Sequence, residues 1–224
     1  MKFSSHLNQV ILLLIVCIFW GTNTSHAQSG TETKITFTQQ KKEEARQQLQ
    51  RILSEYSLDP WIITQEVRIK PGVDPHSRPI LTLNTDYLED DQTQLSIFVH
   101  EQAHWIPWAK RKAAIENLRE LYPEIPGVPE NNDNSAGDKL ATYNHLVVAW
   151  VEFDAMTELV GEQKARQIIR DKVQEIVSEP YSAVEKSFIW YNERVLNDPQ
   201  KIGLILEKHD IIYTPERGIV VDKN

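Results

Sequence analysis

Phe98 to Trp108 reads FVHEQAHWIPW, and the placing of its few polar residues decides how the rest of the chain is read. His100 and His104 stand four residues apart, with Glu101 directly after the first. Residues four apart on a helix share a face, so both imidazoles can reach a single ion. Glu101 lies about 100° further round the helix, too far for a natural third ligand but suited to stand beside a water activated by that ion. The flanks are apolar, so these polar groups need partners wherever the segment is buried.

The residues before the motif predict a helix. Asp91-Gln92-Thr93-Gln94 has the form of a capping box, an acceptor followed three residues later by glutamine. Leu95, Ile97, Phe98 and Val99 then supply the apolar face, and Pro107 stops or kinks the helix because it lacks a donor and clashes with the preceding turn. A second helix is expected over Trp108–Leu121. The stretch YPEIPGVPENNDNSAG, residues 122–137, is a long loop crowded with Pro, Asn and Gly.

Residues 138–159, DKLATYNHLVVAWVEFDAMTEL, form the second informative helix. Leu146 to Val151 is continuously apolar, which predicts burial on most sides. The same segment nevertheless carries His145, Glu152 and Asp154. A buried carboxylate is costly unless it is paired, and a metal ion is one of few partners that offset the cost. His145 and Glu152 are seven apart and share a face, with Ala149 between them allowing close approach of another helix. Catalytic zinc takes three protein ligands and a water. The third ligand is therefore sought on this helix, among His145, Glu152 and Asp154.

On these residues the chain resembles the zincin metallopeptidases of the gluzincin type. The resemblance covers residues 80–159 and implies a zincin-like active-site helix, bound Zn2+, His100 and His104 as ligands, Glu101 as general base and Glu152 as third ligand. It implies a peptide or protein substrate, cell-wall peptide included, with the strand Ile80–Leu83 lining the cleft. His145 would then donate to the developing oxyanion, with Tyr143, Tyr181 and Tyr191 as further candidates. The acid that many gluzincins carry four residues beyond the third ligand is replaced here by Met156, leaving Asp154 or Glu158 to hold a histidine. The glycine and third histidine of the metzincin motif are absent after His104. His76, in a Pro-rich loop, and His209, near a helix end, read as surface residues.

Outside this region the chain predicts a mainly helical α+β single domain with a small N-terminal β-sheet. Of its 224 residues 41% are hydrophobic, enough for one sizeable core. Val10 to Trp20 is an apolar run shorter than a membrane span, followed by Ser25-His26-Ala27 in the small-x-small form of a signal-peptidase site. Residues 1–27 are therefore expected to be a cleaved signal peptide, with export to the periplasm or medium and no stable membrane anchor afterwards. Residues 28–38 read as a short linker and 39–224 as the domain. The only cysteine, Cys17, falls in the leader, so the metal site must be built from His, Asp and Glu.

The formal net charge of -8 argues against nucleic acid as a partner, since phosphate recognition needs basic patches. Within the domain, residues 39–56 predict a helix, and 61–69 with 80–83 predict two strands forming a hairpin. Further helices are expected over 162–178, 181–196 and 199–208, and IIYTPERGIVV at the end as a strand pair. The function expected is an exported zinc-dependent hydrolase. The alternatives are a non-catalytic exported protein in which zinc is structural or supports partner binding, and a metal hydrolase of small-molecule amides or esters. Glu101 favours an enzyme, because a structural site needs no free base beside its ligands.

Overall fold

The computed structural model describes residues 29–130, 137–176 and 181–211; the leader expected over 1–27 and the C-terminal strand pair, apart from Ile211, lie outside them. Among the described residues the architecture is seven helices with a two-stranded sheet, the mainly helical α+β arrangement expected. None of the described helices is long and apolar enough to cross a membrane.

Helix α1 spans Ser29–Glu55 and begins ten residues before the expected start, over the segment read as a linker. Once a helix is nucleated, each added residue costs little, and nothing after Gly30 breaks the backbone pattern. Ala45, Leu49 and Ile52 bury one stripe of α1, and Gln48 beside them donates from Nε2 to the carbonyls of Tyr87 (2.6 Å) and Leu88 (3.2 Å). The helix is thereby tied to the segment that leads into the metal-motif helix.

The sheet corrects the hairpin expectation. β1, Val67–Ile69, and β2, Leu81–Leu83, pair in parallel, with Arg68 opposite Thr82. A hairpin needs a tight turn, whereas the connection here holds Pro71, Gly72, Pro75 and Pro79 and is long enough to cross back. The antiparallel partner of β2 is instead His76, which exchanges backbone hydrogen bonds of 3.0 and 2.7 Å with Thr82. Trp61 closes a 3₁₀ turn, Asp59–Trp61, rather than opening a strand. The extended residues after it are held by a side chain: Gln102 accepts from the amides of Ile63 and Thr64 (2.9 Å each) and donates to the Thr64 carbonyl (2.9 Å).

Helix α2, Asp91–Ala103, starts one residue earlier than the capping-box reading implies, because Asp90 is the cap. Its carboxylate accepts from the amides of Gln92 (3.1 Å) and Thr93 (2.9 Å) and from the Thr93 hydroxyl (2.7 Å). His104 follows the last helical residue and keeps helical backbone angles, φ -62° and ψ -18°, so the four-residue spacing still places it one turn beyond His100. Pro107 ends this run and caps α3, Trp108–Leu121.

Helix α4, Lys139–Val160, is the central element and packs against α2, α3, α5 (Glu162–Ile176), α6 (Ala183–Asn197) and α7 (Pro199–Lys208). Leu146, Val147, Val148 and Ala149 are all buried, as a continuously apolar run requires.

Asp90 fixes where the metal-motif helix begins, and its hydrogen bonds to Thr93 and Gln92, with the Lys164 charge, outweigh desolvation and hold its carboxyl below the usual range. A group with a depressed folded pKa stabilises above its unfolded pKa and loses that contribution as pH falls through the folded value. Asp90→Ala should therefore destabilise the chain by about 1 kcal/mol at neutral pH, and the gap to the parent should close in acid. Urea unfolding at pH 7 and pH 3 measures both.

Candidate metal centre

Helices α2 and α4 lie side by side in opposite directions: Ser96 of α2 meets Glu152 of α4, and His104 meets His145. Along α2, Ser96, His100 and His104 are successive rungs of one face, spanning about 12 Å at 1.5 Å per residue; His145 to Glu152 spans about 10.5 Å on α4. The two ladders are nearly matched. Their register therefore decides which α4 side chain stands across from the two histidines of the motif.

It is His145. The ligand nitrogens of His100, His104 and His145 all lie within 4.8 Å of one another, the one such cluster of metal-capable groups among the described residues. Ring centroids are 5.1 Å apart for His100–His104 and His104–His145, and 6.2 Å for His100–His145. This triad can hold a metal ion.

Two of the three rings have their tautomers fixed by what lies behind them. His100 places Nδ1 2.7 Å from a Glu152 carboxylate oxygen, and His145 places Nδ1 2.9 Å from the Ala141 carbonyl. Both partners only accept, so each Nδ1 carries the proton, and Nε2 is the ring nitrogen available to a metal. Burial, with the neighbouring His100 charge second, pushes His104 down to about 2 and His145 down to about 4. At neutral pH these rings are neutral, the form that binds metal.

Glu152 stands elsewhere than the sequence predicts. With 2% of its side chain exposed, it reaches the back of His100 rather than the face that His104 and His145 share. Its Oε1 accepts from the Ser96 hydroxyl and from Lys172 Nζ (2.6 Å), and its Oε2 from His100. Desolvation works against the charged form, but Lys172 and His100 outweigh it and hold the carboxyl below its usual range. The physical reason for the difference is register: Glu152 lies two turns beyond His145 along α4 and faces Ser96 and His100 Nδ1. The third member of the cluster able to hold a metal is therefore His145, and Glu152 lies outside that cluster.

Glu101 is buried, 8% exposed, and lines the same cleft as His100 and His145. Desolvation raises its carboxyl above the ordinary value, with the His100 and Lys172 charges opposing. The cleft encloses about 390 Å³ and is walled also by Asn84, Tyr87, Lys172, Phe188 and Tyr191. Strand β2 itself does not line it. Thr82 is flanked by Arg68 on one side and His76 on the other, so Asn84, just past the strand, and Asp74 and Pro75 of the returning segment form that rim.

Other candidates fall away from the site. Asp154 points into a small apolar pocket with Trp61, Val99, Ala103 and Trp150, where burial first and Glu158 second push its carboxyl up to about 6. Glu158 is exposed and Met156 buried. Tyr143 spends its hydroxyl on the Tyr122 carbonyl, and Tyr181 is not among the cleft residues. His76 is exposed in the returning segment, and His209 is bonded to Asn117 at 2.8 Å. Tyr191 remains: it stacks on His145 at 5.6 Å and 16° and lines the cleft, and burial first, then the Glu152 and Glu101 charges, hold its phenol protonated far above the usual range.

Sequence reasoning gave no role to Ser96, Gln102 or Lys172. Ser96 was legible as the residue one turn before His100, and Gln102 as a polar group inside an apolar helix. Lys172 carries no such signal, because its α5 segment reads as an ordinary amphipathic helix. No protein-family model, curated protein or solved structure matches the chain.

The depressed values predict a direct observation on metal-free protein. The ring resonances of His104 and His145 should stay at their neutral positions from pH 8 down to pH 5, with His145 moving only as pH approaches about 4. Side-chain NMR over that range checks it, and titration of either ring near 6.5 would show that the site is open to water.

Proposed function

We propose that the chain is an exported zinc-dependent hydrolase of the metallopeptidase type, acting on a peptide or amide carbonyl. His100, His104 and His145 are its ligands and Glu101 its general base. The observation that carries this reading is the convergence of three imidazoles, two of which, His100 and His145, line a cleft that also holds a buried carboxylate outside the ligand set. A purely structural site gains nothing from desolvating an acid beside its ligands, since that costs stability.

The donor set favours zinc, which takes imidazole nitrogen readily and, in catalytic sites, three protein ligands with one position open. Bound there, zinc would acidify a water and polarise the substrate carbonyl. Glu101 takes the proton from the attacking water as its oxygen bonds to the carbonyl carbon. It then gives that proton to the departing nitrogen as the C–N bond breaks. A carboxyl raised by burial suits both halves of this exchange, because it is the stronger base and returns the proton from a value nearer neutrality. Tyr191, held protonated against His145, is the cleft hydroxyl available to donate to the oxygen on which charge develops.

The zincin resemblance thus rests on the motif helix, while the gluzincin pattern of a glutamate ligand gives way to a three-histidine set. Export rests on the apolar run from Val10 to Trp20 and its small-x-small flank. A cleft of about 390 Å³ falls in the roughly 300–1,000 Å³ range of small-ligand sites, room for a few residues of an extended peptide rather than a folded protein surface.

The purified chain should carry one zinc. His145→Ala should empty the site as His104→Ala does, whereas Glu152→Gln should retain metal at reduced affinity. Metal analysis separates these cases, and full zinc content in His145→Ala would overturn the ligand set.

Glu101→Gln should keep its zinc and lose hydrolysis of a peptide library by about a hundredfold or more, because an amide cannot take the proton. Undiminished turnover in that variant would remove Glu101 from the chemistry and leave a metal-binding protein of another kind.

A further inference from the structure

Lys172 of α5 and Ser96 of α2 touch no candidate ligand atom, yet both close on the carboxylate that holds His100. Glu152 has two oxygens and almost no contact with water, at 2% exposed. One oxygen is occupied by Ser96 and Lys172, and the other takes the proton-bearing nitrogen of His100. Lys172 Nζ also lies 3.5 Å from the Ser96 hydroxyl, closing a triangle on that first oxygen. A carboxylate is a rigid planar group. Pinning one oxygen from two directions fixes where the other points, and so fixes the plane and tilt of the imidazole bonded to it.

We propose that Lys172 and Ser96 are positioning residues of the metal centre, which set its affinity by locking Glu152 and, through it, His100. The proposal rests on the reading of His100, His104 and His145 as the metal ligands and deepens it by adding α5 to the site. Two observations carry it. Lys172 is the one Lys or Arg in ion-pair contact with Glu152 among the described residues, at 2.6 Å. With 17% of its side chain exposed, it also lies in the cleft wall next to His100 and Glu101.

An ion pair serving only to hold α5 in place would have no reason to share its acceptor with a ligand histidine. Groups that orient a ligand histidine typically change metal affinity by roughly ten- to a hundredfold when removed. Lys172 and Ser96 act one bond further back, through the carboxylate. Their effect should therefore vanish when the carboxylate is no longer there to transmit it.

The test is zinc affinity of the purified full chain, read by competition with a chromophoric chelator at pH 7.5, with circular dichroism of the metal-free form as the control for folding. Lys172→Met, which keeps the apolar stem and removes the charge, should bind zinc about tenfold or more weakly than the parent. Lys172→Arg should recover most of that loss, and Ser96→Ala should lose a smaller factor. In a Glu152→Gln background, Lys172→Met should cause little further loss, since the two act in series.

Parent-like affinity in both Lys172→Met and Ser96→Ala would overturn the proposal, and so would equal losses from Lys172→Met with and without Glu152→Gln. If Lys172→Met does not fold, Ser96→Ala and its pairing with Glu152→Gln decide by the same criteria. Failure of the underlying reading looks different: the parent binds no zinc, or His104→Ala binds it as well as the parent does.

Discussion

The structure depends on one buried carboxylate. Glu152 lies inside the seam between α2 and α4, where an unpaired charge would cost several kcal/mol. It is tolerated because three donors from three positions meet it: Ser96 and His100 from α2 and Lys172 from α5. Those bonds can all form in only one register of the two helices. The same register sets His145 across from His104, so the packing of a single charge decides which three histidines converge.

Around that seam the chain adds supports that look unrelated in sequence. Gln102, within the motif, turns to the opposite side of α2 and gathers the backbone after Trp61 with three hydrogen bonds. Arg111 of α3 is buried and donates to the Ile106 carbonyl (3.0 Å) and to Asn144 (2.6 Å), one residue before His145. The end of α2 at His104 and the second turn of α4 at His145 are thus each held by bonds from neighbouring residues. Side chains held in this way need little further ordering to receive an ion.

The cleft has a division of labour that follows from burial. The groups nearest the triad, Glu101 and Tyr191, are buried and have raised proton affinities. The acids at the rim, Asp74, Asp86 and Glu175, are exposed, so solvent screens their charges. The proposed chemistry falls to the inner groups, and the outer ones present a hydrated, acidic mouth.

The sequence by itself determined the elements and half of the site. Periodicity, caps and breakers located each helix after residue 90 to within a few residues, because those signals act within one turn of chain. The pair His100 and His104 with Glu101 was equally local, since a helix alone sets their spacing. Only the tertiary structure decided the rest. Whether His145 or Glu152 completes the triad depends on how α4 slides along α2, a shift of about 10 Å that leaves both residues on the same helical face. Lys172 reaches Glu152 from a helix whose own pattern predicts only an amphipathic surface. The parallel pairing of β1 and β2, with His76 on the far side of β2, is likewise a contact between segments that no local pattern encodes. Those choices are made by the packing of a buried charge against its partners, which exists only once the helices have met.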